Sequence, residues 1–106
     1  MNMDPQMKRG IVEACVLKAL ERQDNYGYQI VQDLSGIIEI SESTLYPILR
    51  RLEEQKCLSV YSVEHNGRLR RYYHLTDEGK TEIMAFLKDW SDVMVAYDFI
   101  KKGDAL

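Results

Sequence analysis

The chain has 106 residues, of which 45% are hydrophobic and 29% charged, a composition typical of one globular domain with a single modest core. No apolar run approaches the ~18 residues of a membrane span, so we expect a cytoplasmic protein with no membrane partner. The net charge of −3 is unevenly distributed, because residues 41–74 carry six basic and four acidic side chains and both flanking segments are acidic. An acidic chain with one basic segment is compatible with DNA binding.

The residues that most often carry redox, metal or enzyme chemistry are few and widely spaced. Cys15 and Cys57 form no C-x-x-C pair, so we expect two reduced thiols. Cys57, His65 and His74 are too few to hold a metal, and we expect no cofactor. The sequence has no G-x-S-x-G, H-E-x-x-H or phosphate-loop motif, so an enzyme is not expected either.

Two helices are predicted in the first third of the chain. Apolar residues recur at helical spacing from Gln6 to Arg22, which predicts the first helix. The second helix is expected from about Tyr26 to Leu34, with Asn25 as its N-cap. We expect Gly36 to end it by adopting the left-handed conformation.

The third helix is predicted within residues 41–56. Pro47 complicates its start, because proline loses one backbone bond and crowds the carbonyl four residues earlier. We therefore favour a start near Thr44 over one at Ser41. The apolar positions recur at helical spacing and predict a buried stripe: Leu45, Ile48, Leu49 and Leu52.

The periodicity then changes from helical to alternating. Two runs rich in Val and Tyr, Ser59–His65 and Arg68–Leu75, flank the dipeptide Asn66-Gly67. This dipeptide favours a two-residue turn with positive φ at both positions, and it predicts a β-hairpin.

A last helix is predicted from Thr76, its cap, to about Ile100. The fold class is thus mainly α with a small β-hairpin (α+β). We interpret residues 1–75 as a winged helix-turn-helix and residues 76–106 as a C-terminal dimerisation helix and tail, within one compact unit. The apolar stripe of this helix is too long for the core of one small domain to cover.

In a winged helix-turn-helix, the third helix enters the major groove and the hairpin, or wing, contacts the backbone or minor groove. The candidate DNA-binding residues are therefore short polar or basic side chains at these two places: Ser43, Thr44, Tyr46, Arg50, Arg51, Arg68, Arg70 and Arg71. The alternatives are an amphipathic helix and an exposed hairpin whose arginines are only solvated, or a winged-helix module that binds protein.

Three segments, NYGYQI at 25–30, SESTLYPILRRLEEQKCL at 41–58 and GRLRRYYHLTDEGK at 67–80, strongly resemble the PadR family of transcriptional regulators. The resemblance covers nearly the whole chain and implies a homodimeric repressor with double-stranded operator DNA as its partner. It assigns DNA contacts to the same positions on the third helix and the wing. One departure is Cys57, at a position where we expect glycine in this family, which predicts a backbone cost there if φ is positive.

The segment AFLKDWSDV at 85–93 is similar to the multidrug-binding branch of that family, in which a tryptophan at the dimer centre stacks on flat ligands. The matching residue is Trp90, and two interpretations remain open: an effector site or only dimer core. The effector site would comprise Ala14, Lys18, Phe86, Trp90 and Met94. The dimer interface would comprise Ile83, Leu87, Trp90, Val93, Met94 and Tyr97.

Overall fold

The computed structural model describes residues 3–103, so residues 1–2 and the predicted tail at 104–106 lie outside it. Within residues 3–103, four helices and one two-stranded antiparallel sheet follow one another in the predicted order. This architecture confirms the α+β fold class. The elements are α1 (Pro5–Arg22), α2 (Gly27–Leu34), α3 (Glu42–Glu54), β1 (Leu58–His65), β2 (Arg68–Leu75) and α4 (Asp77–Lys102).

One core joins all of these elements, with α1 at its centre. The first helix buries Val16 completely and α3 buries Leu45 and Leu49 completely, while Ile30 of α2 is 1% exposed. The base of the hairpin contributes the buried residues Leu58, Tyr73 and Leu75, and α4 contributes Ile83. Among residues 3–103, no helix is long and apolar enough to cross a bilayer.

The third helix begins earlier than we predicted, at Glu42 with Ser41 as its N-cap. The Ser41 hydroxyl accepts a hydrogen bond from the Thr44 amide at 3.2 Å. Pro47 lies inside this helix, where its missing N–H removes one bond to the carbonyl of Ser43. Because Ser43 is exposed, water can solvate that carbonyl, and the early start is tolerated.

The predicted bounds of α2 agree with the structure to within one residue, but the residues predicted to cap its two ends were wrong. Tyr26, not Asn25, occupies the N-cap position, and it makes no side-chain capping bond. Asn25 instead pairs its backbone with Tyr73 of β2, accepting from the Tyr73 amide at 2.8 Å and donating to the Tyr73 carbonyl at 3.3 Å. At the other end the helix stops in right-handed geometry at Ser35, and Gly36 does not have a positive φ.

The hairpin turn has the predicted conformation, with φ of 52° at Asn66 and 79° at Gly67. The pairing register places Val63 opposite Arg70 and His65 opposite Arg68. Arg68 and Arg70 therefore share one face of the hairpin, while Arg71 shares the other with the buried Tyr73, as the alternation of a strand requires.

The left-handed residue after α3 is Lys56, with a φ of 64°, and not Cys57. Cys57 is 2% exposed and packs in the core, where burial raises the pKa of its thiol. The backbone cost that we expected at Cys57 therefore falls on Lys56, where a non-glycine residue bears the left-handed conformation.

The start of α4 is held against the turn that follows α3. The Thr76 hydroxyl donates to the Lys56 carbonyl at 2.6 Å and accepts from the Gly79 amide at 3.1 Å. Gly79 leaves no room for a side chain, because a Cβ built on it would lie 2.4 Å from both the Cys57 carbonyl oxygen and a methyl group of Leu75. This close approach fixes the direction in which α4 leaves the domain.

We predict that Gly79→Ala lowers the free energy of unfolding by about 1–3 kcal/mol, because the backbone of Cys57 must move to admit the methyl group. The control is Gly10→Ala in α1, where a Cβ would meet nothing within 4 Å. Alanine in that open helical position should raise stability by up to about 1 kcal/mol. Urea unfolding followed by circular dichroism measures both, and equal stability of the two variants would contradict the close packing at Gly79.

Candidate nucleic-acid interface

The outer face of α3 is polar and exposed because its apolar stripe points into the core. Ser43, Thr44, Tyr46 and Arg50 are all exposed, whereas the predicted stripe from Leu45 to Leu52 is buried. At the N-terminal end, the hydroxyls of Ser43 and Thr44 lie 2.9 and 3.1 Å from the capping hydroxyl of Ser41. Each hydroxyl keeps a lone pair or a proton for another partner.

Tyr46 packs its ring on the first turn of α2. A Cβ at Gly27 would lie 2.8 Å from the Tyr46 hydroxyl oxygen, so only glycine leaves space for this ring. Partial burial raises the pKa of the Tyr46 phenol, and the nearby Glu42 carboxylate adds to the effect. The phenol is therefore protonated at neutral pH and can donate a hydrogen bond from the surface of α3.

Arg51 differs from the other predicted DNA-binding residues, because the structure turns its side chain toward α1. Its guanidinium donates to the carboxylate of Glu13, and the side chain is only 29% exposed. Arg9 also lies near this carboxylate, with its Nε 3.7 Å away. The contact between Arg51 and Glu13 ties α3 to α1, and it leaves Arg50 as the arginine on the outer face of α3.

The three arginines of the hairpin have different environments. Arg68 is exposed beside the turn. The Arg70 guanidinium lies over the Tyr26 ring, 4.0 Å from its centroid, which is a cation–π geometry. Arg71 projects from the opposite face, and its guanidinium lies 3.4 Å from the Glu53 carboxylate of α3.

A groove of about 690 Å³ lies between α3 and the hairpin and brings four of the predicted residues together: Tyr46, Arg50, Arg70 and Arg71. Three arginines on one concave surface form a positively charged channel with a single carboxylate, Glu53, on its wall. Ser43, Thr44 and Arg68 do not line the groove, and they extend the exposed polar surface beyond it.

Six residues of this groove were not predicted from the sequence, among them Tyr26, Tyr28 and Leu69. Tyr28 is 54% exposed at the start of α2, and Leu69 is 76% exposed on the hairpin. The signal was present for Leu69, since an apolar residue between arginines beside a hairpin turn cannot reach the core. Tyr26 and Tyr28 gave no such signal, because tyrosine is found both in cores and on surfaces.

The C-terminal helix presents an apolar face that the described chain leaves uncovered. Leu87, Val93, Met94 and Tyr97, all predicted interface residues, are 45–54% exposed. Ile83, predicted with them, is 6% exposed and belongs to the core of its own protomer. At 26 residues, or about 39 Å, α4 extends well beyond the body of the molecule.

The predicted effector residues lie on two helices. Phe86 and Trp90 are half-buried on α4, with ring centroids 6.0 Å apart and planes tilted by 41°. The Lys18 ammonium nitrogen lies 2.5 Å from a carboxylate oxygen of Glu21. Lys18 lines a separate groove between α1 and the end of α2, and neither Phe86 nor Trp90 lines that groove. Within one protomer, Lys18 is thus not part of a closed pocket around Trp90.

Comparison with known proteins gives consistent matches over most of the chain. A family model described as the transcriptional regulator PadR-like family matches residues 16–85. A crystal structure from Streptococcus mutans UA159 is 42% identical, with a TM-score of 0.78 over 92% of each chain. A PadR family transcriptional regulator from Eggerthella lenta is 32% identical, with a TM-score of 0.83 over 92% of this chain and 87% of that chain.

A third structure, Bacillus subtilis PadR in complex with operator DNA, is more distant. It is 22% identical, with a TM-score of 0.68, and the match covers 73% of this chain and 46% of that chain. At this level of identity the similarity concerns the fold alone.

Proposed function

Because this chain belongs to the PadR-like family of transcriptional regulators, we propose that it is a homodimeric, sequence-specific DNA-binding repressor that a small aromatic effector releases from its operator. The observation that carries DNA binding is the groove between α3 and the hairpin, where Arg50, Arg70 and Arg71 face one channel. The phosphate backbone is the ligand that such a channel suits, since phosphate contacts dominate affinity for DNA.

The two sides of the groove have different roles in this proposal. The outer face of α3 enters the major groove and reads bases through Ser43, Thr44, Tyr46 and Arg50, because these side chains are exposed and α3 is held from behind by the core. The hairpin arginines hold the backbone and set the register of the protein on the duplex. Arg51 supports α3 through Glu13. Repression follows when the bound dimer excludes polymerase from a promoter.

We predict that Arg68→Ala and Arg70→Ala weaken binding to all duplex sequences and each reduce the slope of log K against log salt by about one unit. Arg50→Ala should instead change the preference among sequences, at a cost of about 1–3 kcal/mol where a base contact is lost. Fluorescence anisotropy with operator and scrambled duplexes at several salt concentrations measures both effects.

Arg51→Ala is the matched control within α3, because it removes the same side chain one position later. We expect it to lower the melting temperature and leave the sequence preference unchanged, since Glu13 already binds this guanidinium. A change of preference in Arg51→Ala, or sequence-selective effects of the hairpin variants, would reverse the roles assigned here.

A second copy of the chain is the proposed partner of α4. The exposed residues Leu87, Met94 and Tyr97 lie three to seven positions apart and form one stripe along the helix. Trp90 lies on the same stripe and is half-buried already. Burying this stripe against its symmetry mate removes apolar area from water and sets the distance between the two α3 helices.

We predict that Leu87→Glu combined with Met94→Glu yields monomers or insoluble protein, because four carboxylates would meet across the two-fold axis. Val95→Glu combined with Phe99→Glu is the control, since these residues are 71% and 36% exposed and lie on the side of α4 away from Trp90. Light scattering after size exclusion gives the masses. A folded dimer from the first pair would refute the assignment of the interface.

The effector is proposed to bind beside Trp90 at the dimer axis, between symmetry-related rings. Phe86, Trp90 and Met94 lie four residues apart and present two aromatic rings and a thioether to a flat apolar molecule. In the dimer, Ala14 and Lys18 of α1 would border this site, alanine leaving space and lysine meeting a phenolate or carboxylate. A ligand that fits one spacing of the two helices better than another shifts the dimer away from its DNA-bound form.

We predict that planar aromatic compounds, such as a hydroxycinnamate or a cationic dye, quench the fluorescence of Trp90, the single tryptophan of the chain. Trp90→Ala should abolish binding in a calorimeter, whereas Phe99→Ala, on the other side of α4, should not. Binding that survives the loss of Trp90, or no binding to the wild type, would make Trp90 a residue of the dimer core only.

A further inference from the structure

Three consecutive residues between α1 and α2 contact the hairpin, each through a different group. Asp24 binds it with its carboxylate, Asn25 pairs its backbone with Tyr73, and Tyr26 packs its ring against Tyr72. We call residues 24–26 the clasp. The clasp contacts the face of the hairpin that carries Tyr61, Tyr72 and His74, and its backbone pairs with the edge of β2.

The Asp24 carboxylate reaches both strands of the hairpin at once. Its Oδ2 accepts from the Tyr61 hydroxyl of β1 at 2.7 Å, and its Oδ1 lies 2.8 Å from Nδ1 of His74 on β2. Since an ionised carboxylate only accepts, His74 donates to it from Nδ1. The two oxygens thus bind one residue from each strand, and they hold both strands of the hairpin against the loop before α2.

The directions of the pKa shifts of Asp24 and Tyr61 agree with these hydrogen bonds. Partial burial alone would raise the pKa of the Asp24 carboxyl, but the hydrogen bonds from Tyr61 and His74 outweigh it and lower this pKa below its usual value. The same hydrogen bond raises the pKa of the Tyr61 phenol. Asp24 is therefore charged and Tyr61 protonated at neutral pH, which are the forms that the observed bonds require.

A continuous set of aromatic contacts leads from this carboxylate to the groove. Tyr61 stacks on Tyr72, with centroids 5.7 Å apart and planes at 17°. Tyr72 packs on Tyr26 with ring centroids 5.5 Å apart, and the Arg70 guanidinium lies over the Tyr26 ring, 4.0 Å from its centroid. The position of Arg70 in the groove thus depends on rings that Asp24 holds through Tyr61.

We propose that Asp24 is a positioning residue for DNA binding, which orients the hairpin through Tyr61 and His74 so that Arg70 and Arg71 reach the groove beside α3. This inference rests on the proposed DNA-binding function. Asp24 lies on the loop before α2 and repels phosphate by its charge, so a direct contact with DNA would not explain its role.

The test uses Asp24→Asn in the full chain. The amide puts an NH2 group in the place of one carboxylate oxygen, so one bond to the hairpin must reverse its direction, and both bonds lose the negative charge that strengthens them. We expect the salt slope of duplex binding to fall by one to about two units, since misplaced arginines release fewer counterions. A role in stability alone would lower the fraction of folded protein and leave this slope unchanged, and that result would overturn the proposal.

Glu21→Gln is the matched control, because it removes the same charge three residues earlier and contacts only Lys18 among the bonds described. It should leave the salt slope at the wild-type value. Tyr61→Phe is the second variant, which removes one hydroxyl from an exposed side chain and tests the proposal even if Asp24→Asn fails to fold. Combined with Asp24→Asn it should have no further effect on the slope, and additive effects would contradict action through this bond.

A measurement without DNA separates this proposal from the proposed function. Amide relaxation by NMR should show greater motion at residues 62–71 in Asp24→Asn and Tyr61→Phe than in the wild type or Glu21→Gln. Equal order in all four proteins would overturn the positioning role. If the wild type binds no duplex, the proposed function fails, and the relaxation data still decide whether Asp24 orients the hairpin.

Discussion

The hydrogen bonds of Thr76 join four elements at one place. Its hydroxyl connects the left-handed turn after α3 to the first turn of α4, and its amide donates to the Cys57 carbonyl at 3.1 Å. Gly79 allows the backbones to approach closely enough for these bonds. The third helix, the hairpin and the long C-terminal helix all diverge from this junction, so their mutual angles are set where α3 ends, β1 begins, β2 ends and α4 starts.

Most features governed by local rules could be predicted from the sequence, although the cap of α3 at Ser41 was not, and features that need distant partners could not. The Asn66-Gly67 turn and the order of elements follow from neighbouring residues. Asn25 was predicted as a cap because its side chain suits that position, but its backbone pairs with Tyr73 of β2. Arg51 was predicted to contact DNA. Its partner Glu13 lies 38 residues earlier, and nothing in the sequence indicates that the two side chains meet.

Ion pairs with glutamates that are distant in the sequence or on another element also make the basic segment, residues 41–74, less positive than its count of arginines suggests. Glu13 and Glu53 each bind one arginine of the basic segment, so two of its cations are partly neutralised within the fold. Arg71 keeps a 60% exposed side chain despite its pair, and a surface pair of this kind is weak. Arg51 is more enclosed, and its contribution is to the attachment of α3.

Gly27 shows how such a surface can diverge between related proteins. A methyl group at this position would meet the hydroxyl and ring of Tyr46 at less than 3 Å, so the ring would have to swing away from α2. One nucleotide substitution converts a glycine codon to an alanine codon. The chemical face of α3 can therefore change in a single evolutionary step at a position on another helix, with every residue of α3 itself retained.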